Sequence, residues 1–193
     1  LNGEEMNVSE GTSIWEAAKA EGELIPHLCH KPEPGYRSDG NCRACMVEIE
    51  GERVLAASCI RNVQDGMVVR TNTDRAKKSR ALIVELLAAD QPVDAHDASS
   101  HFKNMLALND IEGSRFPSKN PSHVPLLDAS HVAMRVNLDS CIHCNLCVRA
   151  CREVQVNDVI GMSGRGHEAQ IVFDMDDPMG ASTCVACGEC VQA

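Results

Sequence analysis

The chain reads as an α+β protein: a small mixed N-terminal domain, a helical linker, and a C-terminal domain built on a repeated loop. Three observations predict this. The cysteines fall at the two ends, with none between Cys59 and Cys141. The stretch between them opens with helical periodicity over 73–91. The loop Cys141-Ile142-His143-Cys144-Asn145-Leu146-Cys147 returns as Cys184-Val185-Ala186-Cys187-Gly188-Glu189-Cys190, an internal duplication. The expected boundaries are 1–72, 73–132 and 133–193, the last domain truncated at its C-terminal end.

In the first domain Ser13 and Glu16 have capping-box spacing, and Ile14, Ala17 and Ala18 supply a buried stripe before Gly22 ends the helix. Strands are expected over 46–49 and 53–57, joined at Glu50-Gly51-Glu52 as a hairpin turn. The loop from His30 to Asn41 carries Pro32, Pro34, Gly35 and Gly40 and suits a backbone wrapping a metal at the domain edge. The linker helix takes Asp74 as its cap, Leu82, Ile83, Leu86 and Leu87 as its apolar face, and Pro92 as its stop. Met105, Leu106 and Leu108 read as core positions of a further helix. A Pro- and Ser-rich connector over 116–125 leads to a strand over 134–138, a helix over 147–155 and a strand over 171–173. Gly161, Gly164 and Gly166 read as a tight loop that lacks both the G-x-G-x-x-G spacing and the strand-loop-helix setting of a nucleotide site.

All eleven cysteines belong to three groups: Cys29-x12-Cys42-x2-Cys45-x13-Cys59, Cys141-x2-Cys144-x2-Cys147-x3-Cys151, and Cys184-x2-Cys187-x2-Cys190. This is iron-sulfur spacing. A cluster needs thiolates converging on a compact core, and in the C-x2-C-x2-C-x3-C pattern the fourth cysteine serves the other cluster. Cys184, Cys187, Cys190 and Cys151 are therefore expected to hold one [4Fe-4S] cluster. Cys141, Cys144 and Cys147 hold its neighbour, whose fourth ligand is expected beyond residue 193, so that the chain reads as part of a longer protein. Zinc wants two C-x2-C pairs per tetrahedral site and fits the triple repeat poorly. A disulfide framework suits neither eleven cysteines nor the absence of an apolar leader over 1–11.

Composition removes further classes. The net charge of −10, with no basic stripe or aromatic platform, argues against nucleic acid. The longest apolar run, 81–89, is broken by Glu85 and too short to cross a bilayer, so no membrane role is expected. Only 3% of residues are aromatic, so small aliphatic cores must share the work of folding with the metal. The thiols point to a reducing, cytoplasmic setting.

Pro26-His27-Leu28-Cys29, Gly40-Asn41-Cys42-Arg43-Ala44-Cys45-Met46-Val47-Glu48 and Ala57-Ser58-Cys59 resemble the β-grasp [2Fe-2S] domain of the large iron-sulfur subunit of respiratory complex I, and of its relatives among NAD-linked hydrogenases and formate dehydrogenases. The resemblance makes Cys29, Cys42, Cys45 and Cys59 the ligands of a [2Fe-2S] cluster. Complex I and the hydrogenases next supply a His-x3-Cys-x2-Cys-x5-Cys site, whereas 90–108 here has His96 and His101 but no cysteine; both histidines are read as surface or packing residues. Asp139-Ser140-Cys141-Ile142-His143-Cys144, the run from Cys151 to Ile160, and the run from Asp176 to Cys184 resemble the N-terminal part of the α subunit of cytosolic NAD-linked molybdenum or tungsten formate dehydrogenases. That resemblance implies a Mo/W-bis-pterin centre elsewhere in the same α subunit, a flavin- and NAD-binding diaphorase partner carrying FMN, and a hetero-oligomer. Electrons from formate would then pass through the clusters of this region to flavin and NAD, and no catalytic residue lies here. An iron-sulfur subunit of an NAD-linked hydrogenase or complex I-like diaphorase is the alternative. Arg43, Arg149 and Arg152, next to ligands, are candidates for tuning cluster potentials or for plain surface ion pairs. His30 and His143 also adjoin cysteines, but each cluster has cysteines enough without them.

Overall fold

The first helix begins where its cap dictates. The Ser13 hydroxyl accepts from the Glu16 N–H at 3.2 Å and the Glu16 carboxylate accepts from the Ser13 N–H at 2.9 Å, which satisfies two donors that a first turn leaves without partners. These bonds hold the Glu16 carboxyl below its ordinary range. The helix, α1, spans Ile14–Ala20 and buries Ile14, Ala17 and Ala18 as expected, and Trp15 as well. The indole N–H of Trp15 donates to the Ile25 carbonyl at 3.0 Å, so its polar edge goes inside with a partner.

In this computed structural model the residues described are 1–92, 97, 100–118 and 126–193. They form two compact units. One comprises Leu1–His30, Ser38–Ala88 and Ala98–Phe116; the other comprises Lys31–Arg37, Ala89–Asp97 and Pro117–Ala193.

The first unit holds a three-stranded antiparallel sheet in the order β2-β1-β3, made of β1 (Met46–Ile49), β2 (Ala56–Ala57) and β3 (Val69–Arg70). Met46 stands opposite Ala57 and Ile49 opposite Val69. Val47 and Ile49 point into a core shared with Ile14, Trp15, Ala18 and Ile25, while the expected strand over 53–57 shortens to its last two residues. Helix α2 (Asp74–Ala88) packs on β1. Two expectations change here. The cap is Thr73, whose hydroxyl accepts from the Ala76 N–H at 3.2 Å. The buried face is Ala76, Arg80 and Val84, whereas Leu82 and Leu86 are exposed. Helix α3 (His101–Leu108) packs on α2 through Phe102 and Met105, and Leu108 faces outward instead of joining the core.

The second unit is built on the antiparallel pair β4 (Ile160–Ser163) and β5 (Gln170–Phe173), with Ile160 opposite Phe173 and Ser163 opposite Gln170. The glycine-bearing stretch read as a loop thus begins inside a strand. Residues 134–138 form no strand, only a single bridge between Asp128 and Val136. Helix α4 (Leu146–Arg149) runs into a π-helical turn over Ala150–Val154, and α5 spans Glu189–Gln192. Val148, Cys151, Val159, Ile160, Ile171, Phe173 and Met179 make the core. Gly180 is required where it stands: a Cβ there would lie 2.3 Å from the Ser130 carbonyl oxygen. Lys31–Arg37 is bound to the ligand helices of this unit, with Arg37 pairing Glu153 at 2.8 Å and the Tyr36 hydroxyl donating to Glu189 at 2.8 Å.

Two outcomes follow for stability. Ser13→Ala should cost about 1 kcal/mol, read as a shift in the denaturant midpoint of the first unit. Burial, and then the Glu189 carboxylate, raise the Tyr36 hydroxyl from 10.0 to about 12. The unfolded chain therefore releases this proton first, and the stability it contributes is intact below pH 10 and lost as pH rises toward about 12. Tyr36 is the one tyrosine of the chain, and Tyr36→Phe should flatten that alkaline decline in denaturation experiments.

Candidate functional site

The antiparallel pairing of β1 with β2 brings the first four cysteines together. Cys45 precedes β1 and Cys59 follows β2, so both stand at one end of the strand pair, where the Ser58 hydroxyl donates to the Cys45 carbonyl at 2.9 Å. The Cys29 sulfur is in hydrogen-bond contact with Cys42 and Cys59, and Cys59 with Cys45. Cys29, Cys45 and Cys59 are buried. In this packed set the Cys42 and Cys59 thiols donate to Cys29, which holds Cys29 toward the thiolate and keeps its two donors protonated far above the usual thiol range. Backbone dipoles join them: the N–H groups of Cys29 and Ala44 each donate to the Cys42 sulfur at 3.4 Å.

The duplicated loops share one backbone pattern. In the first, His143 and Asn145 have φ of 53° and 63°; in the second, Ala186 and Gly188, at the same positions, have φ of 57° and 81°. In each loop the residues flanking the middle cysteine are thus left-handed, and the second of them, Asn145 or Gly188, opens the helix that carries the third cysteine. Arg43, just after Cys42, is left-handed as well, with φ of 60°. Such residues turn the chain sharply enough for neighbouring thiols to face one space. Cys151, Cys184, Cys187 and Cys190 line a single cavity walled by Met134, Val159 and Ile160. The N–H of Val159 donates to the Cys151 sulfur at 3.3 Å, that of Ala186 to Cys184 at 3.4 Å, and the Asn157 amide to Cys187 at 3.9 Å. Burial, and then the charges of Cys144, Cys141 and Cys190, push the Cys147 thiol up to about 12. Burial, and then Cys187, Cys184 and Cys151, raise Cys190. The sulfurs thus sort into one set of four and one of three, with Cys147 and Cys190 as neighbours across them.

No disulfide joins any of the eleven cysteines. Among the described residues no group of three or more His, Cys, Asp or Glu is placed to hold a lone metal ion. The donor sets are all sulfur, buried or half-buried except for the exposed Cys187, and approached by N–H groups, and this chemistry fits iron-sulfur clusters.

The other residues singled out from the sequence separate clearly. Arg43 is exposed, and Arg152 is an exposed partner of Asp158. Arg149 is buried and donates to the Arg37 carbonyl. His30 is buried, with its Nδ1 2.7 Å from the Ser38 hydroxyl and its ring edge-on to Trp15. His143 serves as a left-handed turn residue. His101 is exposed at the start of α3, with its ring against His27, and His96 lies outside the described residues. Asn157 escaped the sequence reading because an amide six residues past Cys151 carries no spacing signal.

Residues 1–74 match the 2Fe-2S iron-sulfur cluster binding domain, and residues 140–193 match the 4Fe-4S dicluster domain. The NADP-reducing hydrogenase subunit HndD of Solidesulfovibrio fructosivorans is 32% identical over 99% of this chain and 34% of its own length. The 78 kDa subunit of NADH-ubiquinone oxidoreductase from Candida albicans is 31% identical over 89% of this chain and 24% of its own. The probable oxidoreductase YjgC of Bacillus subtilis is 28% identical over 98% and 19%. Among solved structures, an NAD+-reducing [NiFe]-hydrogenase in its H2-reduced state superposes with a TM-score of 0.82 at 28% identity, covering 95% of this chain and 77% of that one. The chain spans about a third or less of the length of these curated relatives. Its two ends thus match a 2Fe-2S and a 4Fe-4S dicluster domain, and its homologues include subunits of NADH-quinone oxidoreductases and of an NADP-reducing hydrogenase.

Proposed function

We propose that this chain is the electron-transfer arm of an NAD-linked oxidoreductase. Cys29, Cys42, Cys45 and Cys59 hold a [2Fe-2S] cluster, Cys151, Cys184, Cys187 and Cys190 hold a [4Fe-4S] cluster, and Cys141, Cys144 and Cys147 give three thiolates to a second [4Fe-4S] cluster. The observation that carries this reading is the cavity lined by Cys151 together with the three cysteines of the second loop, the interleaved ligand set that the spacing calls for. Each cluster, when bound, takes up and gives back a single electron. The chain's own groups set how readily: burial disfavours added negative charge, while the N–H groups of Ala44, Val159 and Ala186 and the Asn157 amide favour it by donating to sulfur.

Within that class we assign the arm to a cytoplasmic formate dehydrogenase, with a Mo/W-pterin centre elsewhere in the same polypeptide and a flavin- and NAD-binding partner. The absence of any cysteine between Cys59 and Cys141 supports this, since the His-x3-Cys-x2-Cys-x5-Cys site that the resemblance to complex I and the hydrogenases implies has none of its cysteines here. The hydrogenase or complex I-like reading has its own support in the 0.82 TM-score to an NAD+-reducing [NiFe]-hydrogenase. Among the described residues no helix is long and apolar enough to cross a membrane.

The full-length protein with its partners, purified without oxygen, separates these readings. Reduction of the clusters by formate, with molybdenum or tungsten bound, supports the dehydrogenase; reduction by hydrogen with neither metal supports the hydrogenase. Paramagnetic resonance of the variants tests the ligands. Cys42→Ser should remove the binuclear signal and about two iron atoms, and Cys184→Ser a tetranuclear signal and about four. Variants that keep all signals and iron would end the relay assignment.

A further inference from the structure

Arg80 lies midway along α2, in the buried row with Ala76 and Val84, and only 7% of its surface is exposed. Its Nη1 donates to the carbonyls of Met46 and Thr71, at 2.8 Å each. Met46 is the residue after Cys45, and Thr71 follows β3, so the guanidinium is anchored at the end of the sheet from which Cys45 issues. Both anchors are neutral. The ion pairs of this unit run through Arg61 with Glu52, Arg70 with Glu50, Arg75 with Glu48 and Arg115 with Glu85, all partly or largely exposed. Among the described residues no carboxylate stands in ion-pair range of Arg80.

A buried charge without a counter-charge is costly, and arginine cannot escape the cost by losing its proton. Something nearby must carry the opposite sign. Cys45 is the residue just before the Met46 anchor, which puts its thiolate on the anchored side of the guanidinium; the Glu23 carboxylate, which accepts from the hydroxyl of Thr71 at 2.6 Å, is a second anion beside the other anchor. We propose that Arg80 is the built-in counter-charge of the binuclear centre at Cys29, Cys42, Cys45 and Cys59, fixed behind Cys45 so that its field favours the reduced form. This rests on the [2Fe-2S] reading given above. Four thiolates around a two-iron core leave net negative charge, and one electron arriving from a donor adds to it with no bond formed or broken. A fixed cation in a medium of low dielectric stabilises the added charge far more than the same cation would in water. Arg80 touches no cluster ligand directly and is a positioning residue that acts through its field.

The test is a redox titration of the full-length protein followed by paramagnetic resonance. Native protein without a binuclear signal would refute the cluster reading itself, before any variant is compared. Given that signal, Arg80→Gln should shift the oxidised-to-reduced equilibrium of the binuclear centre at least tenfold toward the oxidised form, a fall of 59 mV for a one-electron couple. The tetranuclear potentials should stay where they are. An intact binuclear spectrum with an unmoved midpoint would overturn the proposal. If Arg80→Gln fails to assemble, Arg80→Lys decides. Its buried ammonium loses its proton more readily than one in water, so the binuclear midpoint should start near the native value and fall further than the native one as pH rises. A midpoint that tracks the native protein at every pH would also overturn it.

Discussion

Sulfur anions crowded into a space with little water repel one another, and the rest of this structure answers that constraint. Part of the answer is backbone N–H groups aimed at sulfur, those of Cys29 and Ala44 at Cys42, of Val159 at Cys151 and of Ala186 at Cys184. Iron binds thiolate and not thiol, so affinity for iron and acidity of the thiols are linked. The surrounding fold is correspondingly modest. Strands of two to four residues, and four-residue helices to carry Cys147 and Cys190, are enough at the sulfur sites, because their task is to deliver loops to a meeting point.

The loops meet this demand through backbone conformation that most residues resist. The left-handed positions in the duplicated loops include Ala186, which has no side-chain means of offsetting its strain. Val156 at φ 57° and Asp158 at φ 54° extend the pattern beyond the ligands, and a β-branched residue there is a true outlier. The segment they bracket explains the strain. The Asn157 side-chain amide between them reaches the Cys187 sulfur, and the N–H of Val159, just past Asp158, reaches Cys151. A relaxed turn would release both donors from the cavity that the four cysteines line, so the strain is held where it orients polar groups toward sulfur.

Much of this was legible in the sequence, and the reason is chemical. The capping box at Ser13 and the loop duplication are rules of local geometry, and the structure has the first at the start of α1 and the second as one left-handed pattern in both loops. Features set by distant partners were hidden. β3 is two residues long and exists because β1 offers it an edge, so no alternation could announce it. The glycines near 161 signalled a loop because a strand interior seldom carries one, yet Gly161 pairs opposite Val172. The buried face of α2 was misread because leucines outweigh alanine and arginine on any hydropathy count, while Arg80 buries by reaching carbonyls on the sheet.

That misreading bears on how such centres are tuned. Arginines adjoining a ligand in sequence look like the tuning groups, but proximity along the chain is a poor measure of electrostatic effect. Arg43 stands in water, where its field is screened, and Arg152 faces Asp158, which cancels most of its charge at a distance. A cation anchored by carbonyls keeps its full charge, because dipoles orient it without neutralising it. Burial then removes much of the solvent that would shield it, so its field acts on nearby sulfur more strongly than that of an exposed arginine. The arginine most able to act on the binuclear centre is accordingly 21 residues past its last cysteine, on a helix that supplies no ligand at all.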